Sequence, residues 1–194
     1  MGYGVAKNYA LERATNVWVL WVDADERVPP ELAKEIQQII RDNLSGHNAF
    51  EMARRAFFVG KWIKHCGWYP GYVVRLFKKN AAKFNSAKVH EKLNYDGSLG
   101  RLTNDLIHYT DDNLFHYVSK FNRYTSLAAE ELLQRGRRAT LYDLLVRPPY
   151  LFLKMFFFRL GFFDGMHGLT LSFLSAAYVF TKYAKAWETN RSAH

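Results

Sequence analysis

Residues 17–28 read VWVLWVDADERV, so six apolar residues run directly into three acids within four positions. A strand apolar on both faces is the pattern of a central parallel strand with helices over each side, which predicts an α/β fold. Acids crowded at a strand end repel one another and lose hydration unless a cation or a proton compensates them. A positive partner is therefore expected beside Asp23 and Asp25. These two residues alternate just past the C-terminal end of the strand, so both carboxylates can project to one side, at the edge where open α/β sheets bind ligands. Hard oxygen ligands there suit Mg²⁺ or Mn²⁺, which in turn bridges the phosphate oxygens of a nucleotide. The plainer alternative is an acidic loop that caps the following helix.

The chain after this motif is punctuated clearly enough to place elements. Pro29 and Pro30 suit a first helical turn, and Leu32, Ala33, Ile36, Ile39, Ile40 and Leu44 recur at helical spacing until Ser45-Gly46. Strands are expected at 49–59 and 72–79, separated by the aromatic loop GKWIKHCGWYPG. Segments 88–93 and 101–109 read as a strand pair joined through Tyr95, Asp96 and Gly97. A long amphipathic helix is expected from an N-cap at Asp111 or Asp112 to Gly136. Upstream, residues 4–15 read as an amphipathic helix with Val5, Leu11 and Ala14 on its apolar side. The neighbours that a central strand needs are expected to come from before this helix, which would make the chain the C-terminal part of a longer protein or one begun at an internal Met. The predicted division is an α/β core over 1–110 and a helical region over 111–194.

Charge and cysteine content narrow the class. Among the 194 residues, 27 Lys and Arg against 18 Asp and Glu leave a formal charge of +9, which favours anionic partners. The basic residues are spread along the chain with no RNA- or DNA-binding motif, so nucleic acid is not the expected partner. The single Cys66 rules out an internal disulfide framework and fits a reducing compartment. The start lacks the apolar stretch of an export signal. Beyond Gly136 the composition shifts to dense aromatics punctuated by Arg147, Lys154, Arg159 and Lys182. The stretch without charge there is too short and polar to span a bilayer. Apolar helices edged by cations suit a membrane surface, the alternative being a helical cap on the core.

The segments KNYALERATNVWVLWVDADERVPPEL, GKWIKHCGWYPGYVVRLFKK, KVHEKL and FFDGMHGLTLSFLSAAYVFTKYAKAWE, in that order, resemble inverting family 2 glycosyltransferases of the GT-A fold. The likeness covers nearly the whole chain and is greatest to bacterial enzymes that add glucose or heptose to the lipopolysaccharide core. It implies a partial GT-A, Rossmann-like core followed by amphipathic helices, with the family's first strand, helix and second strand not represented. It further implies a UDP- or ADP-sugar donor, a lipid-linked saccharide acceptor, and work at the cytoplasmic face of the bacterial inner membrane. Asp23 and Asp25 match the metal-binding D-x-D pair, and Lys7 with Asn8 match polar residues near the nucleotide. A truncated, non-catalytic glycan-binding or scaffold module is the alternative.

An inverting transferase needs a base for the acceptor hydroxyl. Glu91 is the candidate: on a strand it shares a face with Val89 and Leu93, where desolvation would raise its pKa, and it belongs to the His90-Glu91 pair of the resemblance. The alternative is an edge strand wet on both faces, or an ion pair with a nearby lysine. Arg75, between apolar strand neighbours, suits the diphosphate, Glu91 or a structural salt bridge. Trp62, Trp68 and Tyr69 either stack on acceptor sugar rings or pack their loop down, and His90 is grouped with them on the acceptor side. His108 is a further metal ligand, an acceptor contact or merely a hydrogen-bonded core histidine. Asp164 is expected to cap a helix.

Overall fold

The computed structural model describes residues 3–42, 46–85 and 93–192. In chain order the elements are α1 (Tyr3–Arg13), β1 (Trp18–Leu20), β2 (Glu26–Arg27), α2 (Pro30–Asp42), β3 (Ala49–Phe58), β4 (Lys61–Trp62), β5 (Gly71–Lys78), β6 (Ala82–Phe84), β7 (Leu93–Tyr95), β8 (Leu99–Arg101), β9 (Leu106–Asp111), α3 (Leu114–Gln134), α4 (Leu141–Leu145), α5 (Arg147–Leu153) and α6 (Met166–Ser192). The chain divides into two compact units, Met1–Arg55 with Pro70–His108, and Ala56–Tyr69 with Tyr109–His194. The mixed α/β class expected from the sequence is what the structure has.

In the first unit the strand order runs β1-β5-β3-β9-β2, with β8 parallel to β3. Helix α2 buries Leu32 and Ile36 against Phe50, Met52, Leu76, Leu102 and Leu106 on one side of the sheet. On the other, Leu11 of α1 meets Ala49, Phe77 and Phe84. Adjacent residues of β5, Leu76 and Phe77, thus enter opposite layers, as the two-residue period of a strand requires. Val5, expected on the apolar side of α1, is exposed.

Three expectations about this unit need correction. The strand at 17–22 is not a central parallel one: β1 pairs antiparallel with β5, Trp18 opposite Lys78 and Leu20 opposite Leu76, and stands at one end of the strand order among the described residues. Its apolarity on both faces reports coverage rather than direction, because Trp18 packs into the α2 layer and Val19 into the α1 layer. Leu93, the described end of the segment 88–93, pairs through β7 with β6 and not with 101–109. The segment 101–109 itself breaks, because the Glu35 carboxylate takes the amides and side chains of both Thr103 and Asn104 at 2.8–2.9 Å and holds them in a turn.

The second unit is mostly helical. A two-residue turn at Val59 and Gly60, both at positive φ, joins the end of β3 to β4, with Phe58 opposite Lys61. That geometry matches the right-handed twist of a hairpin and is costly for a β-branched residue. Helix α3 is capped by Asn113, whose side chain accepts the His116 amide at 2.9 Å, one residue beyond the acids expected to do so. It closes at Gly136, φ +69°, as predicted. A π-helical turn over Lys154–Phe158 and a 3₁₀ turn over Gly161–Asp164 lead into α6. There α6 approaches so closely that a Cβ at Gly168 would collide with the Gly161 carbonyl.

Candidate functional site

The turn after β1 is closed by its own residues. Glu26 donates its backbone N–H to the Asp23 carbonyl at 2.9 Å, and its carboxylate accepts the Asp23 N–H at 3.0 Å. Glu26 then enters β2 opposite His108 of β9. The register between β3 and β5 slips here, Phe50 facing Leu76 and Glu51 facing Val74, which leaves Arg75 as the extra residue of a β-bulge. A bulge re-aims the side chain it carries. The Arg75 Nη2 donates to Asp23 Oδ2 at 2.5 Å and to Glu26 Oε1 at 2.6 Å.

The positive partner demanded by the acids is therefore, in the protein itself, an arginine. The Glu26 side chain is fully buried, and Arg75 is the cation that compensates it at 2.6 Å. The Trp21 indole N–H donates to Asp23 Oδ1 at 3.0 Å. Burial pushes the Asp23 pKa up, but the Trp21 hydrogen bond and the charges of Arg75 and Lys7 outweigh it and hold the carboxyl below its usual range. Arg54 lies 4.0 Å from Glu26 Oε1. Burial and the like charge of Arg75 lower the Arg54 pKa, against the opposing pull of Glu26, Asp23 and Asp25. Asp25 is the outward member, 44% exposed, with Oδ2 3.3 Å from His108 Nε2.

Two features give this cluster a ligand-directed character. Its three carboxylates face Arg54, Arg75 and Lys7, and Asp25 alone among the acids is turned outward beside His108. Arg54 Nε, Arg75 Nε and His108 Nδ1 are also buried with no hydrogen-bond partner. Buried polar nitrogens without partners are rare enough to mark either water or a ligand.

The remaining predicted residues fall in different places. The Lys7 ammonium sits 5.0 Å from the Trp21 ring centre, on the Asp23 side of the cluster. Both ends of the Asn8 amide are engaged by the Phe84 backbone, at 2.8 and 2.9 Å, which ties α1 to β6. Trp62, Trp68 and Tyr69 belong to the second unit. Trp62 and Tyr69 meet edge-to-face at 5.3 Å, and Trp68 packs on Phe58. His90 and Glu91 lie outside the described residues. Asp164 is corrected from a helix cap: its buried carboxylate accepts the His65 amide at 2.8 Å and the Lys64 amide at 3.3 Å, anchoring the aromatic loop.

Glu26 and Arg54 were not singled out from the sequence. A signal for them existed, because consecutive arginines inside the otherwise apolar strand AFEMARRAFF require buried carboxylates to face them.

No family model matches the chain. Among characterised proteins it is 29% identical over 199 residues to the lipopolysaccharide core biosynthesis glycosyltransferase LpsC of Rhizobium meliloti, a match that spans 94% of this chain and 71% of that protein. It is 27% identical to an uncharacterized glycosyltransferase of Rickettsia typhi, over 97% of this chain and 68% of the relative. A Rickettsia prowazekii protein, also an uncharacterized glycosyltransferase, is 27% identical over 95% of this chain and 67% of its own length.

Proposed function

We propose that the chain is a glycosyltransferase that moves a sugar from a nucleotide-sugar donor to a lipid-linked saccharide, with inversion, in lipopolysaccharide core assembly. The observation that carries the reading is the cluster at Asp23, Asp25 and Glu26, with Asp25 turned outward and three buried nitrogens beside it left without partners. The relatives supply the reaction class.

A divalent cation fits the cluster. Asp25 keeps a half-exposed carboxylate beside His108, and Asp23 is held rigid and ionised by Trp21 and Arg75. Among the described residues no three His, Cys, Asp or Glu side chains converge to cage a metal. Asp23 and Asp25 would be the residues to hold Mg²⁺ or Mn²⁺, ions that proteins bind through one or two carboxylates. When bound, such an ion neutralises charge developing on the departing nucleotide diphosphate.

The chain's own residues then divide the work. Arg75 fixes the Asp23 carboxylate and screens it from buried Glu26. Lys7 adds positive charge on the Asp23 side, where a UDP or ADP moiety would lie. Glu91 takes the proton of the acceptor hydroxyl as its oxygen attacks the anomeric carbon. The bond from that carbon to the diphosphate oxygen breaks, its electron pair leaves with the diphosphate, and the configuration inverts. Trp62, Trp68 and Tyr69 offer aromatic faces for the acceptor, with His90 beside the base.

The acceptor's lipid calls for a membrane. No helix among the described residues is long and apolar enough to cross one. Instead Leu141, Tyr150, Phe158, Phe163 and Phe173 are each at least 60% exposed, on neighbouring elements of the second unit. An apolar surface of this kind marks an interaction site. Peripheral attachment at the cytoplasmic face of the inner membrane follows from this reading. A transfer assay tests it: with Mn²⁺, UDP- or ADP-sugars and a lipid-linked core saccharide, the native protein should yield an inverted product. The Glu91→Gln variant should bind donor and transfer nothing; ordinary turnover by that variant would remove Glu91 from the role of base.

A further inference from the structure

We infer that the second unit carries a binding site for a single anionic phospholipid, its phosphate held by Arg137, Arg147 and Lys182 and an acyl chain lying in the groove between α5 and α6. The inference rests on the membrane placement above and adds a defined site to it.

The groove has a volume of about 520 Å³ and is lined by Pro148, Pro149, Phe152, Phe173, Ala176, Ala177 and Phe180. Spacing along α6 explains its shape: residues 173, 176, 177 and 180 fall on one helical face, with alanines leaving the trough and phenylalanines walling it. Such a lining offers an acyl chain apolar contact and no competing hydrogen bonds.

One end of the trough is cationic. Arg147 immediately precedes Pro148, and Tyr183 continues the groove face of α6 beyond Phe180. The Arg147 and Arg137 guanidiniums stand 5.6 and 5.7 Å from the Tyr183 ring centre, and the Lys182 ammonium 4.7 Å from it. Asp143 is the carboxylate among them, ion-paired with Arg147 Nε at 2.6 Å and accepting Arg137 Nη2 at 3.2 Å. Glu131, nearby, is paired with Arg135.

Three cations against one carboxylate leave two positive charges uncompensated. Burial, then the charges of Arg147 and Arg137, depress the Lys182 pKa, the signature of cations crowded without enough anions. A phosphate supplies the missing negative charge. The guanidiniums are half-exposed, at 40% and 45%, so a head group can reach them. Exposed Leu141, Tyr142, Leu145 and Val146 surround the site on α4 and the turn before α5. A phosphate at the end of an apolar trough, within an apolar rim, has the chemistry of an anionic lipid rather than of a free ion.

Vesicle flotation of the native chain tests this. Phosphatidylcholine vesicles, whose choline cancels the phosphate charge, report the apolar surface alone; added phosphatidylglycerol reports the site. The native protein should prefer the anionic vesicles. Lys182→Met should lose about fivefold of that preference, as expected for one cation at a lipid surface, and leave binding to neutral vesicles unchanged. Ala177→Trp, which fills the trough without removing apolar surface, should abolish the same preference. Equal binding to both vesicles, or a preference undiminished by either substitution, overturns the lipid site and leaves the membrane placement standing. No binding to any vesicle overturns both. Circular dichroism confirms that each variant is folded.

Discussion

The two units each hold a buried carboxylate gripped by arginine, and they differ in the charge left exposed beside it. Around Glu26 three acids meet Arg54, Arg75 and Lys7, and the exposed member is a carboxylate, Asp25, beside His108. Around Asp143 the cations outnumber the acid, with Lys182 unsatisfied. The buried ion pair in each fixes geometry, and on the proposed reading the exposed charge beside it would select the ligand: a cation with its phosphates in one, a lipid phosphate in the other. Buried pairs contribute little net stability but are costly to break, so they serve as rigid mounts for the exposed charges beside them.

The first way to break the comparison is to strip a mount. Arg75→Met leaves buried Glu26 with only the more distant Arg54, at 4.0 Å, and should cost about 3 kcal/mol in chemical denaturation. Adding Glu26→Leu should recover most of it; if the single substitution costs under about 1 kcal/mol, Glu26 is not held as an ion. The second removes the exposed carboxylate and keeps the mount. Asp25→Ala should leave the melting temperature within a few degrees while lowering metal-dependent turnover by about 100-fold or more. An equal loss of stability would make Asp25 part of the mount.

Acid titration compares the two sites in one experiment. Asp23 and Asp143 are both held below the usual carboxylate range: burial raises each, and hydrogen bonds and neighbouring cations overcome it. A depressed folded pKa contributes stability that is present above the unfolded value of about 3.9 and is lost as pH falls through the folded one. Thermal stability should therefore fall below about pH 4, and less steeply in Arg75→Met. The smallest effect is the sharpest contrast. Lys182→Met relieves crowding and should stabilise slightly, by about 0.5 kcal/mol or less given its exposure to solvent, as lipid preference drops.

Much of this arrangement was legible in the sequence. Proline and periodicity placed α2, and the strands expected at 49–59 and 72–79 are β3 and β5. What escaped depended on contacts distant in sequence. Nothing local distinguishes Glu26 from Asp25, yet a bulge at Arg75 buries one and leaves the other exposed. The break before β9 is imposed by Glu35 from another helix. The direction of β1 is set by its partner, whereas its apolarity is set by the layers above and below. Cationic surplus at Tyr183 joins residues 137, 147 and 182, whose charges look scattered until α5 and α6 bring them to one ring.

Calorimetric titration of the chain with a nucleoside diphosphate sugar, with and without Mn²⁺, tests the acidic site most directly. If Asp23 and Asp25 hold the donor through a divalent ion, binding requires Mn²⁺ and disappears in Asp25→Ala. Binding of equal strength after chelation, or in that variant, would contradict the metal-bridged site.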